Sequence, residues 1–196
     1  MTTVLRSIAN ILGISACAVM TACGGATAPA APAATEASSP AADSQVLRDL
    51  RADWQAQKDT MMKIADAMPE AKFGYKSTPA QRSYGEQIMH VALTNVDLLK
   101  VLAGKAAAPA FTAESAKTKA EILKALADSY DYGAALLDEE SEATIGQSLQ
   151  DSPPWLGPAT RARIVWTLLA HTMDIYGQMA VYLRLNGIVP PASRGV

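Results

Sequence analysis

The sequence predicts an all-α protein: an antiparallel four-helix bundle preceded by a signal peptide and a disordered linker. Apolar residues recur at three- and four-residue spacing over long stretches after residue 44, which is typical of amphipathic helices. Proline and glycine separate these stretches, and no segment shows a convincing strand pattern. Residues 44–196 are long enough to form one domain with its own core. Long helices joined by loops then favour the bundle.

Residues 1–22 are predicted to be a targeting segment. The apolar run Ile8–Met20 is too short to span a membrane permanently but suits the core of a signal peptide. The residues before Cys23 resemble a bacterial lipobox, whose cysteine becomes the lipidated N-terminus; the alternative is ordinary cleavage near Ala22. We therefore expect an exported protein that Cys23 anchors in the cell envelope. Gly24 follows the cysteine where aspartate would favour inner-membrane retention, which indicates the outer membrane if the cell has two membranes.

Residues 23–43 are almost wholly small residues and proline, which predicts a disordered tether. Both cysteines, Cys17 and Cys23, precede the predicted domain, so the domain has neither a disulfide nor a cysteine nucleophile. The formal charge of −2 is spread without charged runs, and it indicates no nucleic acid partner. The lipid anchor, not charge, is expected to bring the protein to the membrane.

The first helix is predicted over Gln45–Met68, with Ser44 as N-cap and Pro69 as its stop. Its apolar stripe should enter the core, and it comprises Leu47, Leu50, Trp54, Met61, Ile64, Ala65 and Met68. The second helix is predicted over Arg82–Ala103, ending at Gly104.

For the third helix, Thr112 is the predicted N-cap, with Glu114 favourably placed in the first turn. Its apolar stripe comprises Ile122, Leu123, Leu126, Tyr130, Ala134 and Leu137. A long loop over residues 139–157 follows, in which residues 142–149 are predicted to form a short helix.

The last helix is predicted to have Pro158 in its first turn and to end at Leu185, where Asn186–Gly187 suits a left-handed cap. Trp166 is interpreted as an anchor in or near the core. Trp155 lies in the proline-rich loop, and it either lines a pocket mouth or tucks that loop onto the bundle.

His90 and His171 are the only histidines, and each lies near the middle of a long predicted helix. On a helical wheel His171 faces the bundle interior, with Asp174 on the same broad face, and Glu86 flanks His90. Two imidazoles and one carboxylate would suit Zn²⁺, Ni²⁺ or Fe²⁺. The other interpretation is that each histidine is a hydrogen-bonded core residue.

Two segments carry a resemblance to a known family. The stretch HTMDIYGQMAVYLRLNGIVPPAS, over His171–Ser193, resembles the closing helix of the DinB/YfiT-like metalloenzyme superfamily. The stretch AMPEAKFGYKSTPAQRSYGEQIMHVA, over Ala67–Ala92, resembles the junction between that family's first two helices. The resemblance implies a four-helix bundle with up-down-down-up order.

Many members of that superfamily have a three-histidine metal site, with one ligand on the second helix and two, four residues apart, on the last. His90 and His171 match the first two ligands, whereas the third falls on Ile175, which has no donor atom. The resemblance therefore implies a degenerate metal site, unless Asp174 or Glu86 supplies the third ligand.

Two interpretations of function remain open at this stage. The first is a non-catalytic module that binds a small ligand or an envelope protein and holds no metal; residues Ile175, Gln178, Tyr176 and Trp155 are its pocket candidates. The second is a divalent-metal-dependent enzyme, of transferase or hydrolase type, that uses Zn²⁺, Ni²⁺ or Fe²⁺ on His90, His171 and a substitute carboxylate. Counting ligands favours the first. Whether the protein is an enzyme, and whether it forms a homodimer, stays open.

Overall fold

The computed structural model describes residues 44–195, so the predicted signal peptide, Cys23 and the tether lie outside the described residues. The described part consists of helices α1 (Gln45–Ala67), α2 (Tyr84–Leu99), α3 (Lys119–Glu139), α4 (Glu142–Ile145) and α5 (Arg161–Leu185). Over this range there is no β-strand, only an isolated bridge between Ser148 and Thr160. The all-α prediction is confirmed. Between residues 44 and 195, no helix is both long and apolar enough to cross a membrane.

Helix α1 forms nearly as predicted. The Ser44 hydroxyl accepts the Leu47 N–H at 3.3 Å, which caps the first turn. The helix ends at Ala67, one residue before the predicted end, and Met68 is its C-cap. The whole predicted stripe is buried, each side chain having at most 1% of its surface exposed.

Helix α2 is shorter than predicted at both ends. It begins at Tyr84, two residues late, because Ser83 and Glu86 form a capping box. The Glu86 carboxylate accepts the Ser83 N–H at 2.6 Å, and the Ser83 hydroxyl accepts the Glu86 N–H at 3.3 Å. After Leu99 the chain tightens into one 3₁₀ turn, and Ala103 then adopts a left-handed φ of 48° that ends the helix.

The predicted start of α3 was wrong. Its N-cap is Thr118, in a capping box with Glu121, and the helix begins six residues later than a Thr112 cap would place it. Thr112 caps only a local turn, in which its hydroxyl accepts the N–H groups of Glu114 and Ser115, each at 3.2 Å. Both threonines are capping residues, but only the second is followed by a continuous helix.

The predicted start of α5 was also wrong, whereas its end is confirmed. Thr160 is the N-cap, so Pro158 lies before the helix and not in its first turn. The helix ends at Leu185, and Gly187 takes the predicted left-handed conformation with a φ of 73°. Helix α4 covers Glu142–Ile145, the first half of its predicted range.

Helices α1 and α2 each pack mainly against α3 and α5. The Tyr84 hydroxyl of α2 also reaches α1, where it donates to the Ile64 carbonyl. The Lys105 N–H, just after α2, donates to the Glu139 carboxylate at the end of α3 at 2.8 Å, so these two helices run parallel. The Lys72 ammonium, just after α1, lies 3.5 Å from the Asn186 carbonyl just after α5, so α1 and α5 also run parallel.

The two parallel pairs oppose each other. At the start of α3, the Lys119 ammonium donates to the carbonyl of Met68, just past the end of α1, at 3.0 Å. Gln87 near the start of α2 donates to Gln178 in the second half of α5 at 2.8 Å. The four long helices therefore have up-down-down-up order, and residues 103–118 must return along the bundle to connect the parallel helices α2 and α3.

The core contains one fully buried indole. The Trp54 Nε1–H donates to the Tyr130 carbonyl at 2.9 Å, and the two rings lie 5.1 Å apart. Gly133 makes room for this ring, since a Cβ there would lie 2.2 Å from the indole. The prediction for Trp166 was wrong: it lies on the outer face of α5, 49% exposed. The buried apolar residues of the described chain form one core, so the part from Ser44 onward can fold by itself.

Candidate functional site

The two histidines meet between α2 and α5. The Nε2 atoms of His90 and His171 are 3.1 Å apart, and the rings lie nearly perpendicular at 77° with centroids 5.0 Å apart. Antiparallel packing of α2 and α5 brings together residues that are far apart in the chain. A hydrogen bond at this distance needs one Nε2 as donor and the other as acceptor, so at least one ring is neutral.

The surroundings of the pair favour the neutral imidazoles. Burial lowers the pKa of His90, and the charges of Arg82 and His171 lower it further. Burial also lowers the pKa of His171, as does Arg82, while the Asp174 carboxylate raises it. Arg82 therefore lies close enough for its positive charge to act on both rings, although the sequence did not single it out.

The other ring nitrogens are poorly paired. His171 Nδ1 is buried and has no hydrogen-bond partner among residues 44–195. His90 Nδ1 lies 3.5 Å from the Thr94 hydroxyl, at the outer limit for a hydrogen bond. Neither ring is thus held by a strong hydrogen bond on its Nδ1 side, a contact that metal-binding histidines usually have.

The position one turn after His171 has no donor atom. Ile175 stands at this position, is only 3% exposed and belongs to the apolar core. Asp174 is exposed, and its carboxylate accepts a hydrogen bond from Gln178 at 3.0 Å. Gln178 in turn accepts from the buried Gln87, so this carboxylate belongs to a side-chain network of its own.

The Glu86 carboxylate caps the start of α2. Its hydrogen bond from the Ser83 N–H lowers the pKa of its carboxyl, and Lys76 lies 3.5 Å from the same carboxylate. In the part of the chain that the structure describes, no group of three or more His, Cys, Asp or Glu residues is arranged to hold a metal ion.

The histidine pair alone meets part of the geometry that a metal needs. Two Zn–N bonds of about 2.05 Å at a tetrahedral angle would place the nitrogens roughly 3.3 Å apart. The observed 3.1 Å is close to this value, so both rings could contact one ion. Among residues 44–195, however, no third His, Cys, Asp or Glu side chain completes the ligand set, and the Arg82 charge acts against a second cation there. The described residues therefore do not make up a complete metal site.

A further set of buried polar side chains lies on α2, α3 and α5, and sequence reasoning did not identify it. Its fully or almost fully buried members are Gln87, Asn95, Ser129, Tyr130 and Thr172. Asn95 donates to Ser129 at 3.2 Å, but the Asn95 Oδ1 and Gln87 Oε1 atoms have no partner among the described residues. Burial raises the pKa of Tyr130 to about 12. The sequence did indicate this set in one way: Gln87 and Asn95 are polar residues, eight positions apart, on the otherwise apolar face of α2.

A groove of about 700 Å³ opens beside His90. It is bordered by the segment between α1 and α2, the first turns of α2, and residues just before and within the first turn of α3.

The predicted pocket candidates Ile175, Gln178, Tyr176 and Trp155 do not line this groove. Trp155 is 68% exposed, so it neither tucks the loop onto the bundle nor borders this groove. Cys23 lies outside the described residues.

Comparisons with known proteins agree on one family. The sequence model of the DinB superfamily matches residues 53–179, more than half of the chain. A DinB-like protein from Bacillus cereus has a similar structure, with a TM-score of 0.65 and 15% identity over 74% of this chain and 95% of that chain. A DinB-like protein from Bacillus subtilis has a TM-score of 0.56 and 12% identity, over 71% of this chain and 92% of that chain. No curated protein sequence matches the chain significantly.

Proposed function

The chain belongs to the DinB superfamily, and on that premise we propose that its bundle is a non-catalytic module that binds a small ligand. The observation that carries this proposal is Ile175, a buried apolar side chain at the position that would need a third metal ligand. The groove beside His90 supports a small ligand over an envelope protein, because it is concave and falls within the usual volume range of ligand pockets.

Both substitute carboxylates have other roles, which adds support. The Glu86 carboxylate caps α2 and lies beside Lys76, and the Asp174 carboxylate accepts from Gln178. Moving either one onto the histidine pair would remove those contacts. The Arg82 charge would in addition repel a divalent cation at the pair.

The alternative is a metal-dependent enzyme of transferase or hydrolase type. One observation favours it: the 3.1 Å separation of the two Nε2 atoms suits two ligands of one Zn²⁺, Ni²⁺ or Fe²⁺ ion. Asp174 would be the nearest third ligand, since its charge already acts on His171. Such an ion would polarise a substrate carbonyl or lower the pKa of a bound water.

Elemental analysis of residues 44–196 separates the two functions. The protein would be purified without chelators and without a histidine tag. We expect zinc, nickel and iron well below one ion per chain, with a folded protein. Near-stoichiometric metal that is lost in His90→Ala but kept in the exposed-surface control Asp97→Asn would overturn the binding-module proposal and establish the metal alternative.

The stability of the variant His171→Ala is a second, independent test of whether the domain holds a metal. Without a metal, the variant loses one hydrogen bond and some packing, so the free energy of unfolding should fall by about 1–2 kcal/mol. Chelator should then have no effect on the unfolding midpoint of the native domain. A midpoint that falls with chelator in the native domain, but not in His171→Ala, would contradict this expectation.

A further inference from the structure

The groove beside His90 has an unequal distribution of charge. Three cationic side chains line it, Lys76, Arg82 and Lys117, against the single carboxylate of Glu86. The chain as a whole has a formal charge of −2, so this excess of positive charge is local. A concave surface with one sign of charge attracts ligands of the opposite sign.

Arg82 is the cation of this groove whose side chain has no ion-pair or hydrogen-bond partner among residues 44–195. Lys76 lies 3.5 Å from the Glu86 carboxylate, and the Lys117 ammonium lies 3.4 Å from the Ala113 carbonyl. The Arg82 backbone carbonyl accepts a hydrogen bond from the Tyr182 hydroxyl at 2.6 Å. This bond ties the Arg82 backbone to α5 and leaves the guanidinium available.

The rest of the groove wall is largely apolar. Its large apolar side chains come from the segment before α2, from α2 and from α3, and they are Phe73, Met89, Leu93 and Ile122. Phe73, Met89 and Ile122 are themselves buried in the core, so this part of the wall is pre-formed. A hydrocarbon chain placed against it would lose contact with water without any rearrangement of the bundle.

We propose that the groove binds small amphipathic carboxylates, with the carboxylate on the Arg82 guanidinium and the hydrocarbon part against Phe73, Met89, Leu93 and Ile122. A guanidinium can donate two parallel hydrogen bonds to a carboxylate, which a neutral amide of the same length cannot match. This inference rests on the proposed binding function and names the ligand class of that site.

The test is calorimetric titration of residues 44–196 with octanoate and with octanamide, which share a chain length and differ in charge. Octanoate should bind, and octanamide should bind about 10- to 100-fold more weakly, because hydrogen bonds to a charged group are lost. In Arg82→Gln the affinity for octanoate should fall to that for octanamide. Lys100→Gln is the matched control, since it removes an exposed cation that does not line the groove.

A chain-length series tests the apolar half of the site. From butyrate through hexanoate to octanoate, affinity should rise by up to about fourfold per methylene group, the limit for full burial. The thermal midpoint of Arg82→Gln without ligand should equal that of the native domain, which shows that any loss of binding is not a loss of fold.

Equal binding of octanoate and octanamide, unchanged octanoate affinity in Arg82→Gln, or no octanoate binding would each overturn the inferred ligand class. These failures differ from failure of the proposed function, which depends on metal content. A metal-free domain that binds octanamide as well as octanoate keeps the binding module and excludes the carboxylate preference. A domain that retains metal through His90 excludes the module, whatever octanoate does.

Discussion

At the scale of single residues, the contact between His90 and His171 requires at least one neutral ring, and the surroundings of the pair favour the neutral form. Burial and the charge of Arg82 lower the pKa of each ring, which favours the protonation state that the direct Nε2 contact needs. Ile175 stands one turn after His171, is buried in the core and offers only carbon atoms. The position at which a third ligand would stand is therefore apolar.

The variant Ile175→His should create a three-ligand metal site. The new imidazole would stand one turn after His171 on the same helix, which is the spacing of paired metal ligands on a helix. Without metal, the buried imidazole should lower the free energy of unfolding by about 1–3 kcal/mol. Added zinc should reverse this loss and bind stoichiometrically, as measured by calorimetry and thermal unfolding.

Two controls accompany this variant. Ile175→Gln introduces a polar side chain of similar size that is a poor zinc ligand, so zinc should not raise its unfolding midpoint. The double variant Ile175→His, His90→Ala should also fail to bind zinc tightly. Equal zinc binding by Ile175→His and Ile175→Gln would mean that the three positions do not converge on one point.

The sequence identified the residues of this pair but not their surroundings. Helical spacing was enough to place His171 toward the interior and Ile175 beside it. Arg82 could not be found in this way, because it lies before the N-cap of α2, where helical periodicity says nothing about direction. Gln87 was missed because a single polar residue on an apolar face does not show what it will contact across the bundle.

At the scale of elements, capping boxes mark where α2 and α3 begin. Both helices start after a hydroxyl residue with glutamate three residues later, at Ser83 with Glu86 and at Thr118 with Glu121. Thr112 lacks such a glutamate, since Ser115 follows it at that spacing, and the segment turns without starting a helix. For the start of α3, the complete box was therefore more informative than the capping residue alone.

The variant Thr118→Ala should therefore destabilise the protein, whereas Thr112→Ala should not. The first removes the side chain that accepts the Glu121 N–H at 3.3 Å, and it should lower the free energy of unfolding by about 1 kcal/mol. The second changes an exposed turn and should stay within about 0.5 kcal/mol of the native value. Chemical denaturation of both variants is the measurement; equal losses would indicate that α3 begins earlier than Lys119.

At the scale of the whole molecule, Glu140 joins three parts of the chain. This residue directly follows α3 and is only 5% exposed. Its carboxylate accepts a hydrogen bond from the Arg161 Nε–H at 2.8 Å and another from the Thr144 hydroxyl at 2.6 Å. The Arg51 guanidinium of α1 donates to its backbone carbonyl at 2.9 Å. The residue therefore connects the start of α1, the end of α3 and the start of α5.

The variant Glu140→Ala should be among the more damaging single substitutions outside the apolar core. It would leave the partly buried guanidinium of Arg161 without its carboxylate, at a cost of about 2–4 kcal/mol, somewhat reduced because that guanidinium keeps partial access to water. The control Asp131→Ala breaks an exposed ion pair with Lys58 and should cost less than about 1 kcal/mol. Denaturation midpoints that shift equally would contradict the structural role of Glu140.

The helix order could be expected from family resemblance, but not from periodicity. Apolar stripes in α1 and α3 show that each helix has a buried face, but they carry no information on which helices are neighbours. That information lies in long-range polar contacts, such as those of Lys105 with Glu139 and of Lys119 with Met68, between residues that are widely separated in the chain. The fold class was thus predictable from the sequence alone, and the arrangement of the helices was not.

The direction of α1 has a consequence for where the groove lies relative to the point at which the preceding chain enters the domain. Ser44 lies at the start of α1, and the segment that follows the opposite end of that helix borders the groove. With 23 residues, α1 is about 35 Å long. The groove wall at that end is therefore about one helix length away from the residue at which the preceding chain enters the domain.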